Sequence, residues 1–316
     1  MPTGIGAGIA GRVFKSNCCG GTPPVTPSWN CGAAGCTDPG DGSGTYSSLA
    51  LCQAACGQSC PNVYSCDFIN SVQGVANEWL NNNTSALSVG VNGEENFTIA
   101  FWVKFDSVTT GNPRGIISWG AGNDPKMQMY LLTNGSGIQF NMTNISAGGN
   151  TWNDGTGVIN PPANTWIHYA YVADRESDPF DMTGEWFQNG ISVGSKSGPF
   201  PVATNDMNFP AGDNLYFGRR QSNPTTESLQ GNLDDFTIWN KALTAAEIQQ
   251  VMAIGQSQTD CMSSLSFYGL LTHWWEMGDN HTPPGPSTFP TIVDSKGSID
   301  LTMVNMAGTN IVADTP

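Results

Sequence analysis

The sequence predicts an all-β protein preceded by a small cysteine-dense unit, and three observations lead there. Charged residues are 12% of the 316, while glycine and proline number 38 and 20, a balance poor in helix formers and rich in turn formers. Eight of the nine cysteines fall between Cys18 and Cys66, and the ninth is Cys261. From about residue 66 the chain changes to short segments of alternating polarity separated by turn residues, the pattern of strands with one face in a core. A chain of this length can bury a sizeable core.

The charge balance narrows the partners. Eleven Lys and Arg against 26 Asp and Glu leave a formal net charge of −15, which repels nucleic acid and anionic membranes, so neither is expected as a partner. There is no run of about 18 apolar residues for a membrane-spanning helix. The opening "MPTGIGAGIAGRVFKS" has no positively charged n-region, and its glycines interrupt any apolar stretch. It reads as a poor signal peptide and as a docking arm, residues 1–16, gripping a partner subunit or folded back on its own domain.

Residues 17–63 form the cysteine module. Cys31, Cys36, Cys52 and Cys56 follow a C-x4-C-x15-C-x3-C spacing, with the turn-forming stretch "DPGDGSG" inside it. "SSLALCQAAC" reads as a short helix capped by Ser47 or Ser48, placing Cys52 and Cys56 on one face. A unit this small lacks a core, so cross-links are expected to join the Cys31/Cys36 pair to the Cys52/Cys56 pair, in an order the sequence leaves open. Zinc is the rival, but the C-x2-C spacing and a nearby histidine are both missing. Trp29-Asn30-Cys31 is echoed by Tyr64-Ser65-Cys66. The stretch resembles small Cys-rich units found in tandem in virion and surface proteins of marine phages and bacteria.

The large β module is expected over residues 64–256. In "FTIAFWVKF", Phe97, Ile99, Phe101, Val103 and Phe105 share one face, and Thr98, Ala100, Trp102 and Lys104 the other. "TWIHYAYVAD" is a second strand, "EWFQNGISVGS" a hairpin around Asn189-Gly190, and "NLYFGRR" and "LDDFTIWN" supply two more. Thr244 and Glu247 form a capping box for the helix "TAAEIQQVMAIG", closed by Gly255. These segments, in this order, resemble the laminin-G-like, concanavalin A-like lectin/glucanase family. The resemblance implies a jelly-roll sandwich of two antiparallel sheets. The tail, residues 257–316, holds "LLTHWWEMGDN" and "PTIVDSKGSID", which resemble the opening segment of the same family. It is either a permuted strand pair completing the sandwich or an appended β unit. A Cys66–Cys261 bridge would fasten the start of the sandwich to its end.

No catalytic group is expected. The family's glycosidases carry an E-x-D-x-x-E motif; the nearest match here, Glu176, Asp178 and Asp181, lies in a Pro-containing loop unsuited to holding two carboxyls at fixed separation. The resemblance implies that an aspartate at the start of "DDFTIW" helps bind a structural calcium, which takes hard oxygen ligands, with Asp235 the better candidate and Asp234 beside it; the plain alternative is a solvent-facing pair. Candidate glycan platforms are Trp102, Tyr169 and Tyr171, which point away from the inferred core faces, and Trp119 and Trp152 in loops. Each could instead cap a sheet or meet another subunit. His168 is expected in the core, and Arg219 and Arg220 read as neutralising nearby carboxylates.

Together these readings point to a non-catalytic structural or attachment protein on a virion exterior, as a capsid decoration or a tail or fibre component. The resemblance of the Cys-rich unit, the retained Met1 and the lack of a signal support that expectation, and disulfides persist in such surroundings. Its expected partners are other virion proteins through the arm, copies of itself, and host surface glycans. A bacterial surface adhesin or carbohydrate-binding module is the alternative, and a glucanase the third.

Overall fold

The computed structural model describes residues 28–32, 35–45, 47–48, 52, 62–69, 78–82, 96–108, 111–121, 124–133, 135–143, 151–154, 161–174, 181–199, 214–221, 226–257, 260–281, 284–286 and 289–316. The chain divides into two compact units, residues 1–58 and 59–316.

In the first unit, β1 (Asn30–Gly32) and β2 (Gly35–Thr37) form an antiparallel hairpin that sets Cys31 opposite Cys36. The "DPGDGSG" stretch folds as its composition dictates. Asp38 and Asp41 each accept a hydrogen bond from the backbone N–H two residues on, of Gly40 and Ser43, at 2.8 Å, and Gly40 and Gly42 take φ of 75° and 76°, which the missing Cβ permits. The Cys52 N–H donates to the Ser48 carbonyl at 3.1 Å, the i to i−4 bond of a helical turn. Cys52 is disulfide-bonded. The arm 1–16, Cys56 and the side chains of Cys31 and Cys36 lie outside the described residues.

The second unit is a sandwich of two antiparallel sheets. In chain order its strands begin with β3 (Ser65–Phe68), β4 (Trp79–Asn82), β5 (Phe97–Phe105), β6 (Arg114–Ala121), β7 (Asp124–Leu131) and β8 (Ile138–Thr143). There follow β9 (Thr151–Asp154), β10 (Trp166–Asp174), β11 (Asp181–Gln188), β12 (Ile191–Pro199), β13 (Asn214–Phe217) and β14 (Gly231–Trp239). Helix α1 (Ala245–Gly255) comes next. The tail adds β15 (Leu271–Trp275), β16 (Asp279–His281), β17 (Pro284–Pro286), β18 (Thr291–Ile292), β19 (Leu301–Val304) and β20 (Ile311–Val312). The first sheet runs β12-β11-β10-β5-β14-β3-β20, with β15 also on β14; the second runs β18-β19-β4-β13-β6-β7-β8-β9. The tail therefore supplies strands to both sheets.

The core between the sheets is aromatic. Phe97, Ile99, Phe101, Val103 and Phe105 all enter it, as their alternation predicts, and meet Trp119, Met129, Phe140 and Phe217 from the second sheet. Asn189 and Gly190 take φ of 49° and 73° in the β11–β12 connection, the doubly left-handed conformation that suits an Asn-Gly hairpin. The Thr244–Glu247 capping box is formed.

Two expectations change. Helix α1 ends through Gln256 at φ −95°, so Gly255 is not a left-handed cap. A Cβ there would lie 2.4 Å from Trp102 Nε1 and 2.8 Å from Asp235 Oδ2, so glycine lets the helix end approach the sheet. The Cys66–Cys261 bridge is also absent. Cys66 is a free buried thiol that faces the inter-sheet core, whereas Cys261 is disulfide-bonded and precedes Met262, which packs in the layer on the sheet's other side.

Candidate functional site

The two sheets differ on their outer faces. On the first, Ala100, Ala170, Val172 and Trp239 lie beneath Ile248 and Val251 of α1 and beneath Met262, Leu265 and Phe267 of the segment after it. On the second, the outward residues are polar or aromatic. Register places Thr302, Asn81, Tyr216, Ser118, Gln128 and Asn141 side by side on six neighbouring strands. At ordinary inter-strand spacing this row is roughly 24 Å long. Each of its residues alternates with a core residue, such as Leu80, Phe217, Met129 or Phe140.

Beside the row, Tyr130 donates to Gln139 Oε1 at 2.6 Å and accepts from Asn141 Nδ2 at 3.0 Å. The Arg220 guanidinium lies 3.8 Å from the centre of the Tyr130 ring, donates through Nε to Gln128 Oε1 at 3.1 Å, and pairs with Glu227 at 2.7 Å. Arg219 sits 4.5 Å from the centre of the Trp79 ring and 4.4 Å from that of Tyr216. Gly115 makes this crossing possible, because a Cβ there would meet Arg219 and Arg220 backbone atoms at 2.2–2.3 Å. Burial holds the Glu227 carboxyl above its ordinary value, partly offset by Arg220. Aromatic faces next to amide and guanidinium donors can stack on and hydrogen-bond a polyhydroxylated ligand.

The other unusual cluster is at Asp234 and Asp235. Four residues of β14, from Asp234 to Thr237, oppose three of β5, from Trp102 to Ala100, and Asp235 has φ 42°. This bulge turns both aspartates away from the core, while Leu233 and Phe236 on either side point into it. They are buried rather than solvent-facing. Asn62 Nδ2 donates to Asp234 Oδ2 at 2.9 Å, Asp235 Oδ2 at 3.2 Å and the Gly255 carbonyl at 2.6 Å. Trp274 Nε1 donates to Asp235 Oδ1 at 2.8 Å. Asp279 accepts from the backbone N–H groups of Val63 and Tyr64. Burial raises both carboxyls of the pair, their mutual repulsion adds for Asp234, and burial pushes Asp279 up to about 6.

For a hard cation the donor chemistry fits, since carboxylate and carbonyl oxygens converge here. The amide nitrogen of Asn62 is the hub that gathers them, and among the described residues no three His, Cys, Asp or Glu side chains stand together at metal-ligand spacing.

The expected glycan platforms are placed elsewhere. Tyr169 and Tyr171 are fully buried in the inter-sheet core, as is Trp119 within β6. The alternation in β10 misleads because both faces of that strand are covered: Tyr169 pairs with Phe101 and Tyr171 with Ile99, so the tyrosines face inward. Trp102 is 3% exposed, between the close approach of Gly255 and the edge of His168. His168 is buried as expected, on the outer rather than inter-sheet side, and burial pulls it down to about 3. The side chains of Trp152 and Asp181, and residues Glu176 and Asp178, lie outside the described residues.

A family model described as the concanavalin A-like lectin/glucanases superfamily, laminin-G type, matches residues 80–249, more than half of the chain. The chain belongs to this superfamily. No curated protein sequence matches it. Among solved structures, a candidate carbohydrate-binding protein from Bacteroides ovatus aligns at 16% identity with a TM-score of 0.50, over 80% of this chain and 60% of that one. The heptameric SAP-like pentraxin of Limulus polyphemus aligns at 18% identity and TM-score 0.43, over 60% of this chain and 82% of that one. The CBM40 of Ruminococcus gnavus IT-sialidase, bound to α2,3 sialyllactose, aligns at 17% identity and TM-score 0.38, over 54% and 97%. At 16% identity the likeness to the Bacteroides ovatus protein speaks to the fold alone.

The side chains that make up the superfamily sandwich's polar face, Trp79, Tyr216, Tyr130 and the two arginines, escape a reading by local pattern. One signal was available. In "NLYFGRR", Tyr216 alternates with Leu215 and Phe217, which sends an aromatic ring out beside two cations.

Proposed function

We propose that this protein binds carbohydrate, without hydrolysing it, on the outer face of its second sheet. The observation that carries this reading is the accessible end of the row, Thr302, Asn81 and Tyr216, beside the part-exposed Trp79–Arg219–Tyr216 stack; Ser118, Gln128, Asn141 and Tyr130 are buried and support it from within. Glycoside hydrolysis needs two carboxyls flanking one bond, and Glu227, the carboxylate beside this row, is committed to Arg220. The test is retention of the purified protein on β-glucans and marine polysaccharides, together with a reducing-end assay. Retention without release is expected. Release above a blank overturns the non-catalytic reading, and no retention on any polysaccharide overturns the binding reading.

The setting we infer is a virion exterior, with residues 1–16 docking the protein among other virion proteins or copies of itself. The support is the resemblance of the Cys-rich unit to units of marine phage virion proteins, and its cysteine density, which suits oxidising surroundings. Mass spectrometry of intact particles checks it, as does non-reducing peptide mapping of bridges between the Cys31/Cys36 and Cys52/Cys56 pairs. A structural calcium on Asp234 and Asp235 belongs to the same proposal. A site filled a hundredfold over its Kd adds about 2.7 kcal/mol of stability, so a melting temperature equal in calcium and in chelator argues against it.

A further inference from the structure

Five arginines occur in the chain, and three of them, Arg114, Arg219 and Arg220, meet at one corner of the polar face. Arg114 donates to the Ser228 carbonyl and Gln230 Oε1, Arg219 bridges Ser228 through its backbone, and Arg220 pairs with Glu227. Among the described residues Arg220 alone of the three has an acidic partner. In a chain with 26 acidic residues against 11 basic ones, two arginines without carboxylates at one corner need a reason.

We propose that Arg219, packed against the rings of Trp79 and Tyr216, is a subsite for the acid group of a carboxylated or sulfated glycan. The inference rests on the carbohydrate reading above and names the class of sugar. A guanidinium has two faces and an edge. Both rings lie against Arg219 at cation–π distance, which stabilises the charge without using its N–H groups. The edge keeps its donors, in the planar fork that matches a carboxylate or sulfate in two-point contact. Arg219 Nε and Trp79 Nε1 are both buried donors without a hydrogen-bond partner among the described residues, an arrangement costly to leave unmet. An acid group at the edge of the stack would meet the guanidinium donors. Burial draws the Arg219 guanidinium below its ordinary value, which an anion would offset. Asn81 and Thr302, at the accessible end of the row, would then meet the next sugar.

The net charge of −15 repels an acidic ligand at long range, so the preference must arise at contact. Contacts between partly buried groups are screened far less by salt than exposed ones. The acid preference should therefore persist from 0.1 M to 0.5 M salt, unlike loose polyanion adsorption.

The experiment uses the full chain and two matched pairs of probes in titration calorimetry. One pair is oligogalacturonate and its methyl ester; the other is a sulfated galactan oligosaccharide and its neutral parent. The pairs separate carboxylate from sulfate. We expect one acidic member to bind about tenfold or more tighter than its neutral counterpart, the scale of a charged hydrogen-bond pair. Arg219→Gln should abolish that difference. Arg219→Lys, which keeps the charge and ring contact, should retain the fold and lose at least severalfold of it. Equal affinity for acidic and neutral members in both pairs overturns the subsite and leaves the carbohydrate reading standing. A preference that survives both variants, or disappears at 0.5 M salt, also overturns it. Failure of all four probes to bind, with retention on neutral polysaccharides intact, removes the acid subsite alone; loss of both removes the carbohydrate reading.

Discussion

The outer faces of the two sheets are the same kind of surface put to opposite uses. On the first sheet, small and apolar side chains, Ala100, Ala170 and Val172, lie beneath a helix and a pair of tight turns, with Trp239 and Trp274 filling the gaps. On the second, amides, hydroxyls and rings bond one another and two arginines. The difference teaches where each sheet spends its side chains. A face covered by α1 must be apolar or internally bonded, as Thr237 is in donating to the Ala100 carbonyl. The outer face of the second sheet instead keeps donors and acceptors that satisfy one another, several of them buried.

The comparison breaks most visibly if the covered face loses its bulk. Trp239→Ala removes a fully buried indole and should cost about 3–5 kcal/mol, read as a lower denaturant midpoint, while glycan retention of the folded fraction stays unchanged. Gly255→Ala comes next and tests the contact between helix end and sheet. In an exposed helix the change gains about 1 kcal/mol. Here the added Cβ meets Trp102 and Asp235, so a loss of about 1–3 kcal/mol is expected. A thermal melt decides the sign.

At the part-exposed corner around Trp79 the order reverses. Trp79→Ala should weaken glycan binding about tenfold and change stability by only about 1 kcal/mol, because its ring is partly exposed and its described contact is the Arg219 stack. A stability loss without a binding change would show that this face is structural.

The smallest expected effect is on pH. Asp279 and Asp67 are each pushed up to about 6 by burial, and Asp234 and Asp235 are raised as well. Their folded pKa values exceed the unfolded ones, so the native state holds more protons. The stability they contribute is complete below about pH 4 and lost as pH rises through 6 and 7. Melting temperature should fall across that window. Asp235→Asn should flatten the fall, since asparagine tolerates the left-handed backbone at that position.

Part of this was legible in advance. The β5 alternation named its core face, Asn189-Gly190 named a hairpin, and Thr244 with Glu247 named the start of α1, because each depends on residues close in the chain. The candidate site was not. Tyr169 and Tyr171 read as outward from local pattern because β10 is apolar on both faces, and such a strand carries no phase of its own. Trp102 reads as open because the helix end that closes over it, at Gly255, lies far along the chain.

By itself the sequence determined the all-β class, the turn chemistry of "DPGDGSG", the helix cap and the separation of a cysteine-dense unit from the sandwich. Those follow from local backbone preference and from which side chains can be buried. Tertiary structure alone decided that Asp234 and Asp235 share a face, that Gly255 abuts Trp102, and that Asn81, Tyr216, Gln128 and Asn141 stand in one row. Each of these depends on strand register and a single-residue bulge, and register is fixed only when distant strands pair and their cores interlock.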